Sequence, residues 1–307
     1  MFGLELREVS KSFGEKQVVD KVSFASEGGE ILGFLGPNGA GKTTTIRILM
    51  GIIAADEGKV IYRTEKGFSE IIPKSSIGYL PEERGLYKEA KVLNVLGFLA
   101  GLKSVAKKEA RERALQWLDK FALKDYSQAK IEELSKGMSQ KIQFIASILH
   151  KPKLLILDEP FSGLDPVSQD LFKAELRRLA EEGTTILLSS HQMNIMEELC
   201  NRIFLIHQGK EVFYGTLPEI KEKYGNYKVT LSVTENYDFN RLTGLSFVAD
   251  SERLNALEYE ISLKEKTQPG EFLTVIDKDC PIRELKVSRS SLHDIFVKIA
   301  LGREENE

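Results

Sequence analysis

Short, almost wholly apolar runs punctuate the chain at Ile31–Leu35, Leu154–Leu157 and Thr184–Ser189. Runs of this kind predict strands buried on both faces of a parallel sheet. Between the last two lies Gln169–Glu181 with helical spacing, which predicts a β-α-β crossover. Leu4–Val9 is strand-like, and the residues between it and Ile31 read as a turn-rich piece. Val60–Arg63 predicts part of a hairpin. From Tyr87 to His150 the period becomes helical: Ala110–Phe121 is apolar along one face, and Lys107–Arg113 is a charged, solvated one. Beyond Ser135, residues Ile142, Ile145, Ala146 and Leu149 follow i, i+3, i+4, i+7 spacing. Arg202–His207 and Glu211–Tyr214, joined through Gln208-Gly209-Lys210, predict a terminal hairpin.

Around Pro218–Tyr227 the pattern changes. Short strands are expected at Tyr227–Val233, Leu257–Leu263 and Phe272–Ile276, followed by an amphipathic helix at Ser291–Leu301. These signals place a boundary near Thr216. The expected architecture is an α/β domain over 1–216, with a helical subdomain at about 83–150, and a small α+β domain over 217–307. Its 307 residues agree with one large and one small domain.

Composition narrows the class. With 42 % hydrophobic and 29 % charged residues, the chain is an ordinary globular sequence able to bury a core. A formal charge of −3 argues against a DNA-coating protein. The two cysteines, Cys200 and Cys280, are far apart and form no C-x-x-C, so buried thiols are expected rather than a disulfide frame or metal site. Met1–Ser10 has no signal-peptide architecture, and the longest mainly apolar stretch, Val92–Leu102, is too short to span a bilayer. A cytoplasmic protein is expected, with any membrane work done through a partner.

Candidate chemistry begins directly after Ile31–Leu35. Residues Gly36, Pro37, Asn38, Gly39, Ala40, Gly41, Lys42 and Thr43 spell G-x-x-x-x-G-K-[ST], and a helix-prone stretch follows from Thr44. A strand, a glycine-rich loop and a helix N-terminus in this order form a nucleotide triphosphate site. The glycines let backbone N–H groups converge on phosphates, Lys42 reaches the β- and γ-phosphates, and Thr43 offers a hydroxyl to Mg²⁺. At the C-terminal end of the second buried run, Asp158 and Glu159 emerge together, where open α/β sheets place their ligands. Asp158 is suited to hold Mg²⁺ through water, and Glu159 to accept a proton from an attacking water.

Leu134-Ser135-Lys136-Gly137-Met138-Ser139-Gln140-Lys141 opens the next helix. Ser135 and Gly137 there read either as a simple N-cap or as a second anion site at the positive helix end. With this segment the sequence resembles the ABC transporter ATPases, whose signature is written LSGGQ and in one branch LSKGM. Ser162-Gly163-Leu164-Asp165 resembles the family's D-loop, His191 in Leu188-Ser189-Ser190-His191 its switch histidine, and Phe13 its adenine-stacking aromatic. Ile77-Gly78-Tyr79-Leu80-Pro81-Glu82-Glu83-Arg84 resembles the Q-loop, with Glu82 where glutamine is usual. Lys136 and Met138 also depart from LSGGQ, so only Ser135 and Gly137 carry over. A histidine at a strand end is commonly structural, and Phe13 could equally be a packed core aromatic. Arg47 and Arg63 read as surface charges or as nucleotide contacts.

The resemblance implies a P-loop NTPase fold of ABC type and ATP hydrolysis with Mg²⁺, Glu82 joining Thr43 and Asp158 at the metal. It also implies head-to-tail pairing with a second cassette (homodimeric or not), Ser135 and Gly137 serving the partner's nucleotide. A separate integral-membrane permease is implied, on whose cytoplasmic side the chain sits peripherally. The branch with LSKGM and a closing segment like Ser291-Leu292-His293-Asp294-Ile295-Phe296 points to export, with sodium extrusion or drug efflux as cargo classes. The alternative is a soluble ABC ATPase acting on nucleic acid or the ribosome. Such chains usually carry two cassettes or a long coiled-coil insertion, and Thr43–Leu134 has no sustained heptad run. No nucleic-acid partner is therefore expected.

Overall fold

The computed structural model describes residues 2–64, 67–83, 85–235, 237–276 and 280–300. Two compact units divide at Thr216/Leu217.

In the first unit, β1 (Gly3–Phe13) and β2 (Lys16–Glu27) form a long antiparallel hairpin, followed by β3 (Ile31–Leu35) and α1 (Lys42–Leu49). β4 (Glu57–Thr64) and β5 (Gly67–Ser69) complete a four-stranded sheet of order β2-β1-β4-β5. After β6 (Ile77–Leu80) come three helices, α2 (Val92–Leu102), α3 (Lys107–Lys120) and α4 (Lys136–Ile148). The chain then returns through β7 (Leu154–Asp158), α5 (Pro166–Glu181), β8 (Thr185–Ser189), α6 (Met193–Leu199), β9 (Arg202–His207) and β10 (Lys210–Thr216). The second sheet has order β10-β9-β3-β8-β7-β6, parallel except for β10.

The sequence explains this division. β3 and β8 are buried at every residue and β7 at all but its last, as strands covered on both faces must be. The two sheets meet around Phe24, Phe34 and Phe204: Phe34 stacks on Phe204 with centroids 5.1 Å apart, and Phe24 lies 4.8 Å from Phe204. A second aromatic cluster joins α4 to α5 and the end of α3, with Phe144 4.4 Å and Phe121 5.3 Å from Phe172.

The expected turn-rich piece before Ile31 is the strand β2. Its half-exposed alternation and register shifts against β1, with positive φ at Glu8 and Lys21, blur the apolar period that marks a strand.

The second unit runs α7 (Leu217–Tyr224), β11 (Tyr227–Val233), α8 (Asn240–Thr243), β12 (Val248–Asn255), β13 (Glu258–Leu263), α9 (Pro269–Val275), β14 (Ile282–Arg289) and α10 (Leu292–Ala300). Its strands pair antiparallel in the order β12-β13-β11-β14. From β11 to β14 this is the β-α-β-β-α-β, or ferredoxin-like, arrangement. Val229, Leu231, Ile261 and Leu263 supply the buried face, capped by Phe239, Leu242 and Phe272.

The strand expected at Phe272–Ile276 is instead α9. Pro269 at its first turn and a capping box between Gln268 and Glu271 start a helix where the apolar content alone suggested extended chain. β12 and β14 were not anticipated, because β12 is exposed along almost its whole length and carries no apolar alternation. Residue 301, the end of the expected closing helix, lies outside the described residues, as does Arg84. Among the described residues no helix is long and apolar enough to cross a membrane, and both cysteines are buried and outside any disulfide.

Phe204→Ala should cost about 3–5 kcal/mol by opening the aromatic contact between the sheets. Phe13→Ala, at a side chain 53 % exposed, should stay within about 0.5 kcal/mol. Urea unfolding of both variants checks the contrast.

Candidate nucleotide-binding site

Chain geometry around Gly36–Gly41 follows from close backbone approach. A Cβ on Gly36 would stand 2.4 Å from the Ile206 carbonyl oxygen, so the loop passes β9 where only glycine fits. Gly39 (φ 77°) and Gly41 (φ 106°) take the left-handed turns that direct the chain into α1. The β9–β10 turn braces the loop from behind: Gly209 N donates to Ala40 O at 2.9 Å, and Asp20 N to Gly209 O at 2.8 Å. The Lys42 ammonium donates to Gly36 O (2.5 Å) and Pro37 O (3.1 Å). Burial lowers its pKa, while Asp158, Glu159 and Glu82 pull it back up.

The acidic side of the site is set by strand register. Asp158 pairs with Ser189 at the ends of β7 and β8. One residue later Glu159 turns into the left-handed region (φ 50°), its N–H donating to Ser189 O at 2.9 Å. The Ser190 hydroxyl donates to Glu159 Oε2 (3.3 Å) while accepting from Gln192 N (3.1 Å). His191 Nε2 lies 3.6 Å from Glu159 Oε1, an oxygen that is buried and takes no hydrogen bond among the described residues. Burial raises the Glu159 pKa, opposed by His191 and Ser190. Asp158 is raised by the same cause, opposed first by the Ser189 hydroxyl.

These groups share one cleft of about 160 Å³. Pro37, Asn38, Gly39, Gly41, Lys42, Thr43 and Thr44 line one side of it; Glu82, Asp158, Glu159 and His191 line the other. Gly36 and Ala40 are buried beneath the loop. Glu82, not its neighbour Glu83, faces the cleft, and its charge acts on both Lys42 and Asp158. Phe13 lies outside the lining with the Lys11 ammonium 5.6 Å above its ring. Arg47 and Arg63 are outside as well, Arg63 being paired with Glu27 at 2.9 Å. Ser135 and Gly137 stand apart at the start of α4, where Ser135 Oγ accepts from Met138 N at 3.2 Å.

The sequence reading missed Ser189 and Ser190 as supports of the two carboxylates. It also missed Gln140, whose amide donates to Pro160 O at 3.0 Å. Each contact joins segments distant in sequence. The sole local sign was a polar residue at a core-facing position of α4.

A glycine-rich loop with a half-buried ammonium, opposite a carboxylate of raised basicity, suits phosphates on one side and proton acceptance on the other. Comparison with known proteins agrees. Residues 19–162 match the ABC transporter family, and residues 215–300 match the C-terminal domain of DrrA1-3-like ATP-binding proteins. The chain is 40 % identical over 295 residues to the ABC transporter ATP-binding protein YhaQ of Bacillus subtilis, covering 96 % of this chain and 97 % of that one. It belongs to the ABC transporter ATP-binding proteins. The linearmycin resistance ATP-binding protein LnrL of the same organism is 35 % identical, with 96 % and 97 % covered. A solved ATP-binding subunit of an ABC transporter superimposes with a TM-score of 0.66 at 28 % identity, covering 72 % of this chain and 92 % of its own. The ABC transporter match of this ATPase falls within the first unit, which also carries the glycine-rich loop.

The donor set also fits a magnesium ion. Thr43, Asp158 and Glu82 offer only hard oxygens, and among the described residues no three His, Cys, Asp or Glu side chains gather into a cage. Mg²⁺ is usually held by one or two carboxylates and completed by phosphates and water. Three carboxylates against one ammonium also favour a polyphosphate that arrives with a compensating cation.

Gly36→Ala should lower ATP affinity by at least about tenfold, since its Cβ has no space beside Ile206 O. Gly39→Ala meets no atom within 4 Å, and should cost only the left-handed strain of about 1–2 kcal/mol. Fluorescent-nucleotide titration of the two variants checks this order.

Proposed function

We propose that this ABC ATPase is the motor subunit of an export system, hydrolysing MgATP to drive a separate membrane-spanning permease from the cytoplasmic side. The observation that carries the catalytic part is the Glu159 carboxylate. It is half-buried beside the phosphate loop, one oxygen held by Ser190, the other buried, without a hydrogen bond among the described residues, and facing His191. Full-length likeness to a linearmycin resistance protein supports efflux of a drug-like cargo.

In this reading the loop amides and Lys42 hold the phosphates, and Glu159 takes the proton of the attacking water. His191 contacts the γ-phosphate region from the end of β8. Bound through Thr43 and Asp158, with Glu82 nearby, Mg²⁺ would offset phosphate charge. Phe13, exposed at the end of β1, serves as the adenine platform. Ser135 and Gly137, outside the cleft of their own chain, address the nucleotide of a second cassette packed head to tail. The second unit is an accessory domain.

The exposed apolar cluster on the helical part suits the permease. Tyr87 packs edge-on against Phe98 at 5.8 Å, with Leu102 exposed on the same helix as Phe98. Both lie in the segment that follows Glu82, so a partner seated there is covalently close to the cleft wall.

Glu159→Gln should keep ATP binding and lose about 10²–10⁴ in turnover, accumulating an ATP-bound dimer. Adding Ser135→Arg should abolish that dimer while leaving nucleotide binding to the monomer. Lys42→Ala should lose both binding and turnover. ATPase assays and sizing columns with ATP decide these outcomes, and an unchanged rate in Glu159→Gln would sink the assignment.

Replacing Tyr87 and Phe98 by serine should release the chain from detergent-solubilised membrane complexes without altering its ATP affinity. Co-purification with a membrane protein, with and without the two changes, is the measurement. A soluble machine acting on nucleic acid would show no membrane partner for either form.

A further inference from the structure

The helix headed by Ser135 lies directly along the turn that carries Glu159. A Cβ on Gly137 would stand 3.1 Å from Gly163 O, and one on Gly163 would stand 3.1 Å from the Lys136 side chain. One turn further along α4, Gln140 is 2 % exposed. Its Nε2 donates to Pro160 O at 3.0 Å and reaches Glu159 O at 3.4 Å. A turn beyond, Phe144 packs on Phe172 at 4.4 Å, and Phe161 lies 6.3 Å from the same ring. Positions 136, 137, 140 and 144 form one helix face, the first three of them against Gly163, Glu159 and Pro160 and the last joined to Phe161 through Phe172.

Glu159 needs such support. A residue with a side chain persists in the left-handed region only where its surroundings over-determine it. On one side of Glu159, its N–H is fixed by Ser189 O at 2.9 Å. On the other, its carbonyl accepts from Ser162 N at 3.2 Å, and the next carbonyl, of Pro160, takes the Gln140 amide. We propose that Gln140 is a positioning residue: its buried amide locks the turn that aims the Glu159 carboxylate, and ties that aim to the helix whose N-terminus carries Ser135. The second half rests on the head-to-tail reading. If Ser135 meets the nucleotide of the second cassette, Gln140 carries that engagement back to the carboxylate of its own chain, so the two sites fire cooperatively.

Two near-isosteric variants test it in the full chain. Gln140→Met removes the donor and keeps the length; Gln140→Glu keeps the shape and turns an acceptor toward two carbonyls. Thermal unfolding establishes which variants are folded. ATP affinity is then read by fluorescent-nucleotide titration, and kcat and the Hill coefficient from steady-state hydrolysis. The expected result is unchanged affinity, kcat lower by about 10- to 100-fold, and loss of cooperativity. A residue that only fills the core would shift the unfolding midpoint and leave the turnover of folded protein intact. Wild-type kcat in either folded variant overturns the proposal, and so does loss of the fold in both. Reduced kcat with undiminished cooperativity overturns the link between sites alone. Should the unaltered chain lack cooperativity and Glu159→Gln fail to dimerise with ATP, the head-to-tail reading fails, while kcat still decides the positioning role.

Discussion

One pairing fixes the chemistry of this molecule: Asp158 opposite Ser189 in the parallel ladder of β7 and β8. A strand register is discrete, and a slip of one residue would turn every side chain to the other face of the sheet. With the register as it stands, the residue after Asp158 meets the residues after Ser189, so a carboxylate, a hydroxyl and an imidazole converge at the C-terminal ends of two interior strands. Burial of β7 and β8 on both faces makes that register costly to change. The stability of the core and the placement of the reacting groups thus share a single origin.

The loop on the opposite side is held by a different means. Its carbonyls accept from Lys42 and Gly209, and Gly36 passes hard against the Ile206 carbonyl, so little backbone freedom remains to be lost when a ligand binds to the loop amides. Electrostatics around it are poised rather than neutral. Burial disfavours charge on Lys42, Asp158 and Glu159 alike, and each is kept near its task by the others or by a serine hydroxyl.

What could be read in the sequence was what is local. The phosphate loop, Lys42 and the Asp158-Glu159 pair are contiguous motifs with a strand before them, and the structure gathers them in one cleft. Glu82 and His191 were legible through resemblance, since no spacing links residue 82 or 191 to residue 42. Neither Ser190 nor Gln140 could be assigned to Glu159 or its turn from local pattern. Ser190 reaches it across 31 residues and Gln140 across 19, and only the folded register brings them together. Fold errors had a similar cause. β2 is half exposed and bulged, β12 is a polar edge, and α9 owes its helicity to a cap rather than to an apolar stripe.

Among the described residues the ferredoxin-like sheet closes neither of its margins: β12 and β14 each pair on one side only. An open margin of eight residues is a template on which another chain could add a strand. β12 presents Asp250, Glu252 and Arg253 along this border, and Glu252 stands directly across from Glu260 of the neighbouring strand. Glu260 is itself paired with Lys228 at 2.7 Å, so facing Glu252 weakens the sheet little, while Glu252 remains exposed on the border. An approaching strand would meet charges to be desolvated here rather than an apolar stripe, which is how exposed sheet margins are commonly kept from growing edge to edge.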